Sequence, residues 1–216
     1  MPSRYYGQFN PPVDKVLHER YFSNKMNGIS IECGAYDGFT ECCTKFFEEN
    51  CGWKTINIEP LSHIFKLLEK NRPASVNLNI ALSNNNEDKL FTNFKHPHLG
   101  YVWGNGSLSH TVEHKNSLMQ LCGKDNYTTE TVMCSTYKEI VEQLQLTHLD
   151  LFVLDVEGHE VDVISGMVGC DILPDVFVIE HGHRNTSFFV DVIKILNAKY
   201  TLDHVSHVNS FFVKIK

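Results

Sequence analysis

No stretch of the 216-residue chain approaches the roughly 18 consecutive apolar residues of a membrane-spanning helix, so no membrane span is expected. Basic charge is scarce: 19 Lys and Arg stand against 26 Asp and Glu, for a net charge of -7. That balance argues against nucleic acid and against anionic membrane surfaces as partners, because both need a basic face. The seven cysteines form no C-x-x-C pair and no repeated spacing. Zinc and a disulfide framework are therefore unsupported, and reduced thiols are the plain reading. The amino-terminal stretch MPSRYYGQFNPPVDK lacks an apolar leader core, so a cytoplasmic protein is expected. In that context the glycosylation-type triplets at Asn105, Asn126 and Asn185 read as chance.

What is present is the composition of one ordinary globular domain, 42% hydrophobic and 21% charged. The stretch from Gly28 to Pro60 is the most informative. An apolar run (Ile29, Ile31) ends in Glu32, and a turn carrying Gly34 and Gly38 follows. A helical pattern comes next, then a second apolar run ending in Glu59. Strand, glycine turn, helix, and a strand with a terminal acid is how a nucleoside cofactor is gripped. Glycines let the backbone approach the ligand, and the carboxylate can take both ribose hydroxyls.

The pass along the chain predicts strands over Ile29–Cys33, Lys54–Ile58, Val76–Ala81, Thr129–Ser135, Leu149–Val156 and Val176–Ile179. Helices are predicted over Val13–Asn24, Glu41–Asn50 capped by Thr40, His63–Asn71 capped by Ser62, Tyr137–Leu146, Val161–Met167 and Ser187–Lys199. Tyr200–Val205 and Ser210–Ile215 read as a closing β-hairpin. Residues 1–27 are expected to form a flexible arm and one helix, and residues 28–216 one Rossmann-like α/β domain. Its sheet is expected to have seven mostly parallel strands with an antiparallel carboxy-terminal hairpin and helices on both faces. Between residues 84 and 128 the alternation lapses into an Asn-, Gly- and His-rich insertion, expected to be a functional loop or lid or a small hairpin insertion. Within it, Gly104–Ser109 suits a substrate lid, Tyr101 and Trp103 could stack on a sugar, and four histidines (His96, His98, His110, His114) lack metal-site spacing.

In open parallel sheets ligands bind outside the carboxyl ends of the strands. Those ends carry Glu32, Glu59, Asn79, Asp155 and Glu180 with His181. A dinucleotide turn prefers three glycines; this one has two, with Asp37 and Glu41 placed to repel a pyrophosphate. An acidic turn suits a cofactor with a positive centre and no phosphate, and S-adenosylmethionine has that character.

At this point the sequence resembles the FkbM family of S-adenosylmethionine-dependent methyltransferases, class I by fold. The resemblance rests on Glu32–Gly38 (ECGAYDG), Ile58–Pro60 (IEP), Asn79–Ser83 (NIALS) and above all Leu149–Glu160 (LDLFVLDVEGHE) followed by Val163–Met167. It runs from about Gly28 to His181. Two departures stand out: the family usually has Asn where Asp37 stands and commonly Lys where Leu154 stands. The resemblance implies that Glu32, Gly34, Ala35, Asp37 and Gly38 surround the methionine part of the cofactor. It also implies that Glu59 and Pro60 meet the ribose, and Asn79 to Ala81 the adenine, with Asp155 alongside. It points to O-methylation of a sugar, glycan or related small molecule. A hydroxyl acceptor needs a base or a metal. Asp155, Glu157, His159 and His181 are the catalytic candidates, beside Glu160 and His183. Asp155, Glu180 and His181 could instead bind Mg²⁺ or a similar hard ion. Glu160 reads equally as a helix-surface acid. Two other functions stay open, an NAD-dependent oxidoreductase and a non-catalytic binding module of the same fold. Acceptor and oligomeric state are not legible.

Overall fold

The computed structural model describes residues 4–98, 100–101, 105–182 and 184–215. In chain order the elements are α1 (Val13–Tyr21), β1 (Ile29–Cys33), α2 (Lys45–Cys51), β2 (Lys54–Ile58), α3 (Ser62–Asn71) and β3 (Val76–Leu78). An inserted region follows with β4 (Ala81–Leu82), β5 (Lys89–His96), β6 (Gly100–Tyr101), α4 (Val112–Cys122), β7 (Tyr127–Val132) and β8 (Cys134–Ser135). The chain then returns through α5 (Tyr137–Gln143), β9 (Leu151–Leu154), α6 (Glu160–Ser165), β10 (Val176–Glu180), α7 (Thr186–Val192), β11 (Tyr200–Ser206) and β12 (Asn209–Lys214).

The main sheet has seven strands in the order β11-β12-β10-β9-β1-β2-β3. Every pairing among β3, β2, β1, β9 and β10 is parallel, and β12 is inserted antiparallel beside β10. Period two explains why a wholly apolar strand sits at the centre. Phe152 and Leu154 of β9 enter one core with Ile31, Phe177, Ile179 and Phe212. Leu151 and Val153 enter a second core, on the other face, with Phe46, Phe47, Val176, Val178 and Phe211. A strand buried on both faces must be apolar at every position. Burying each such side chain contributes roughly 1.5–3 kcal/mol. Strand order reverses between β1 and β9, so their carboxyl ends open a crevice there.

Several boundaries differ from the sequence expectation, each for a local reason. The helix expected from Glu41 begins at Lys45. Thr40 is spent on the turn before it, its amide and hydroxyl both donating to the Asp37 carboxylate. The expected strand Val76–Ala81 divides in two, because Ala81 leaves β2 to pair with Cys134. Ser62 does not cap α3 but starts it, and its hydroxyl donates to Glu130. The last long helix ends at Val192 and passes into a 3₁₀ turn, Ile193–Ile195.

Two larger corrections concern the arm and the insertion. Residues 4–12 of the expected flexible arm are pinned to the core. The Asp14 carboxylate accepts from Tyr6 N and Gly7 N, Tyr5 stacks on Phe46, and Gly7 bridges to Glu41. The expected aperiodic loop contains a three-stranded antiparallel sheet, β6-β5-β7. Its helix α4 is capped by the Thr111 hydroxyl, which accepts from His114 N.

Candidate active site

The crevice over the β1–β9 switch is a cleft enclosing about 1130 Å³ of empty space, open solvent at its mouth included. Its floor is the glycine turn after β1. Gly34 has φ +90°, and a Cβ there would stand 1.8 Å from the Asp155 carbonyl oxygen. Only glycine lets β1 and β9 end this close together.

At one end of the cleft Glu59 follows β2 with its side chain 6% exposed, accepting from Leu61 N at 2.8 Å. Burial pushes its carboxyl up to about 8, against the backbone hydrogen bond that lowers it. Beside it, Leu61, Ile64, Phe91 and Leu108 make an apolar slot. Phe91 and Leu108 come from the insertion, so the inserted sheet is a wall of this site. Among the described residues the lining contains Glu32, Glu41, Glu59, Asp155 and Glu157 and no Lys or Arg.

Of the expected cofactor residues, Glu32, Gly34, Ala35, Glu59, Pro60, Ala81 and Asp155 line this cleft; Asp37, Gly38 and Asn79 do not. Asp37 builds the turn instead, accepting from Phe39 N, Thr40 N and the Thr40 hydroxyl. The negative charge expected of the turn is therefore carried to the cleft by Glu41 alone of the two. Asn79 donates to the Glu59 and Pro60 carbonyls at 2.9 Å each, fixing the end of β2 from outside the cleft. Glu32 lines the cleft, but its carboxylate accepts from Cys42, Cys43 N and the Thr44 hydroxyl.

Sequence reasoning missed Arg72, which directly follows the helix predicted over His63–Asn71. It is fully buried, pairs with Glu48, and donates to the Gly38 carbonyl, the Thr44 and Thr55 hydroxyls and Cys42. Together with Asn71, which donates to the Asp37 carbonyl, it clamps the glycine turn from α3. A fully buried cation across the sheet has no periodic signature in the chain.

A second cleft adjoins the first and shares Glu157 with it. It is lined by Thr111, Glu113 and His114 of the insertion, by Gly158 and Glu160, and by Glu180, His181, Gly182, Arg184 and Val208. Asp155, Glu157 and Glu180 offer carboxylate oxygens within 4.8 Å of one another at the boundary. Burial and then mutual proximity raise all three carboxyls, Glu157 to about 9 and Glu180 to about 7. Asp155 and Glu180 are hydrogen-bonded to each other, so this pair retains a proton above the ordinary carboxylate range.

The triad expected for a metal, Asp155, Glu180 and His181, is not what comes together. His181 turns away, its Nδ1 3.0 Å from the Ser210 hydroxyl, and Glu157 stands in its place. Glu160 is no surface acid: it is buried, accepting from Gly158 N and pairing with Arg184 at 2.5 Å. His159 is 5% exposed with both ring nitrogens engaged by serines. His183, Trp103 and Gly104 lie outside the described residues. A separate gathering of His148, Asp150 and Asp175 is a salt-bridge knot, its carboxylates paired with Lys25 and Lys214.

Fold and cleft together define a Rossmann-like α/β domain with a cleft at its strand switch and an inserted sheet walling that cleft. A family model described as the methyltransferase FkbM domain matches residues 32–204. The chain belongs to the FkbM methyltransferase family. Its fold is similar to the crystal structure of Methyltransferase FkbM from Methylobacillus flagellatus KT, with a TM-score of 0.53 at 12% identity. The alignment covers 93% of this chain and 50% of that one, so the chain spans about half the length of that relative. A search of curated protein sequences finds no match.

Proposed function

We propose that the protein transfers a methyl group from S-adenosylmethionine to a hydroxyl of a sugar, glycan or related small molecule. One observation carries the cofactor half of this reading. The cleft at the strand switch pairs a buried ribose-type acid, Glu59, with an apolar slot and has no cation among its lining residues. A pyrophosphate would meet acidic side chains and no cation there, whereas a sulfonium nucleoside brings no phosphate and a positive charge that acidic groups favour.

When bound, the cofactor supplies a methyl group on a sulfonium leaving group. Glu59 would accept hydrogen bonds from the ribose hydroxyls, and Leu61, Ile64, Phe91 and Leu108 would hold the adenine ring. The turn from Gly34 to Tyr36 would hold the methionine portion. The acceptor enters by the second cleft, where Val208 is the one apolar side chain among the described lining residues. Its hydroxyl faces the carboxyl group at the boundary. As the oxygen–methyl bond forms and the sulfur–methyl bond breaks, the Asp155–Glu180 pair takes the hydroxyl proton. Alignment of oxygen, methyl and sulfur supplies most of the rate, and proton removal about 10²–10⁴-fold. Polar lining favours a hydrophilic acceptor over a lipid-like one.

The test is incubation with methyl-labelled S-adenosylmethionine and a panel of neutral sugars and glycans. Label in an acceptor, as an alkali-stable ether, is expected. Cofactor binding without transfer to any hydroxyl compound, but with transfer to amines or thiols, would overturn the O-methylation reading.

A further inference from the structure

The motif Gly158-His159 was expected to serve chemistry, yet its surroundings describe a joint. His159 Nε2 lies 2.9 Å from the Ser83 hydroxyl and Nδ1 lies 2.8 Å from the Ser109 hydroxyl. Asp162 Oδ2 is 3.4 Å from the same Nδ1. A serine hydroxyl can donate or accept, so both contacts are satisfied in either neutral tautomer. Burial holds the imidazole below its ordinary pKa.

The two serines belong to different parts of the molecule. Ser83 is fixed to the core: its amide donates to the Ser135 carbonyl, and its own carbonyl packs on Gly166, where a Cβ would approach to 2.2 Å. Ser109 is exposed and sits in the inserted segment that runs from Asn105 to His114. That segment walls both clefts. Asn105, Gly106 and Leu108 face the cofactor cleft, while Thr111 and His114 face the second. On the insertion side it is tied by two backbone bonds between Ser107 and Thr92. On the core side Ser107 donates to the Val156 carbonyl at 3.0 Å. Gly158, at φ +117°, admits the segment: a Cβ there would stand 2.6 Å from the Ser109 carbonyl oxygen.

We infer that His159 is a positioning residue, a latch that joins Ser83 of the core to Ser109 of the insertion and so seats the wall shared by the cofactor and acceptor clefts. The inference rests on the reading of the first cleft as a cofactor site. It makes His159 a holder of geometry and removes it from proton transfer. It also couples the two clefts, since one segment closes both.

The test compares His159→Ala, His159→Asn, His159→Gln and Ser109→Ala in the full chain, reading S-adenosylhomocysteine affinity and amide hydrogen exchange over residues 105–114. An Asn amide can replace Nδ1 and a Gln amide Nε2, and neither can act as a base. His159→Ala is expected to weaken binding about tenfold, the scale of one or two lost hydrogen bonds, and to speed exchange in the segment. Ser109→Ala, at an exposed position that leaves the core intact, should weaken it about threefold by the same reasoning. His159→Asn, which keeps the Ser109 contact and gives up the one to Ser83, should keep segment protection near wild type and lose at most about threefold in affinity, and His159→Gln should lose segment protection as Ala does. Unchanged exchange in His159→Ala and Ser109→Ala, or no rescue by Asn, overturns the latch. Failure of the wild type to bind S-adenosylhomocysteine would instead count against the cofactor reading, and the exchange comparison would still decide the latch.

Discussion

The two adjoining clefts are built on opposite chemical lines. The first is half apolar slot and half glycine turn, with the buried acid Glu59 beside the slot and Glu32 under the turn. The second is polar almost throughout, with Glu113, Glu157, Glu160 and Glu180 around a single Arg184 that is already paired with Glu160. The difference teaches a division of labour. On the proposed function, the first would take a flat ring carrying hydroxyls and a positive charge, and the second a hydrophilic molecule and a proton. Glu157 stands in both linings, where the methyl group would cross.

The largest effect separating them should come from Gly34→Ala. A Cβ 1.8 Å from the Asp155 carbonyl, on a residue at φ +90°, forces β1 and β9 apart. Strain of this kind costs about 1–3 kcal/mol before the clash is added, so binding of S-adenosylhomocysteine should fall below detection by calorimetry. Retained binding would mean that the turn is not the cofactor floor. Next, Glu180→Gln should slow methyl transfer about 10²–10³-fold, as expected for removal of a general base, while S-adenosylhomocysteine affinity stays within about twofold. Equal losses in both measurements would merge the clefts into one site. Dialysis against EDTA should leave transfer unchanged; loss restored by Mg²⁺ would turn the carboxyl pair into a metal site.

A smaller effect belongs to Arg72→Lys. The lysine keeps the charge but cannot make the forked contacts to Glu48, Gly38 and Thr55, so the glycine turn loosens. Affinity for S-adenosylhomocysteine should drop about threefold to tenfold, the scale of one or two hydrogen bonds. The second cleft should be indifferent, as read by the acceptor KM.

Stability against pH offers a further check on Glu59. Its folded pKa, about 8, lies above the ordinary carboxylate value. The stability linked to its proton is complete below that ordinary value and is lost as pH rises through about 8. Glu59→Gln should therefore melt higher than wild type at alkaline pH, with the gap closing towards acid. A wild-type protein that melts no lower than the variant under alkaline conditions would show that Glu59 is not buried as described.

Much of this arrangement is written locally in the chain. The limits of β1 and β2 and the closing hairpin follow from runs whose periodicity is set by burial on one or both faces of one sheet. Glu59, Gly34 and Asp155 were legible because strand ends and turns carry their own signals. The inserted sheet was legible only in part: Thr129–Ser135 carries most of β7, but β5 was not placed. Its strand β5 alternates irregularly, since Phe91 and Phe94 are buried while Leu90 is largely exposed. Asn105 and Ser107, polar and glycine-flanked, look like a mobile loop, yet both are buried by docking on β5 and on Val156. The roles of Arg72 and His159 were hidden for the same reason: their partners lie far off in sequence, and contacts of that kind leave no period. His181 shows the converse. Its place after a strand end suggested a ligand, but the hairpin brings Ser210 to it instead.

The most direct test of the central claim is calorimetric titration of the wild-type protein with S-adenosylhomocysteine and with NAD, repeated across neutral to alkaline pH. A carboxylate that takes both ribose hydroxyls must be ionised, and burial sets its pKa at about 8. Binding of S-adenosylhomocysteine should therefore tighten as pH rises to about 8, by at most about tenfold per unit, and level off above it. The same titration of Glu59→Gln should be weaker and flat, and NAD should not bind. Tighter binding of NAD, or binding of neither ligand, would contradict the account.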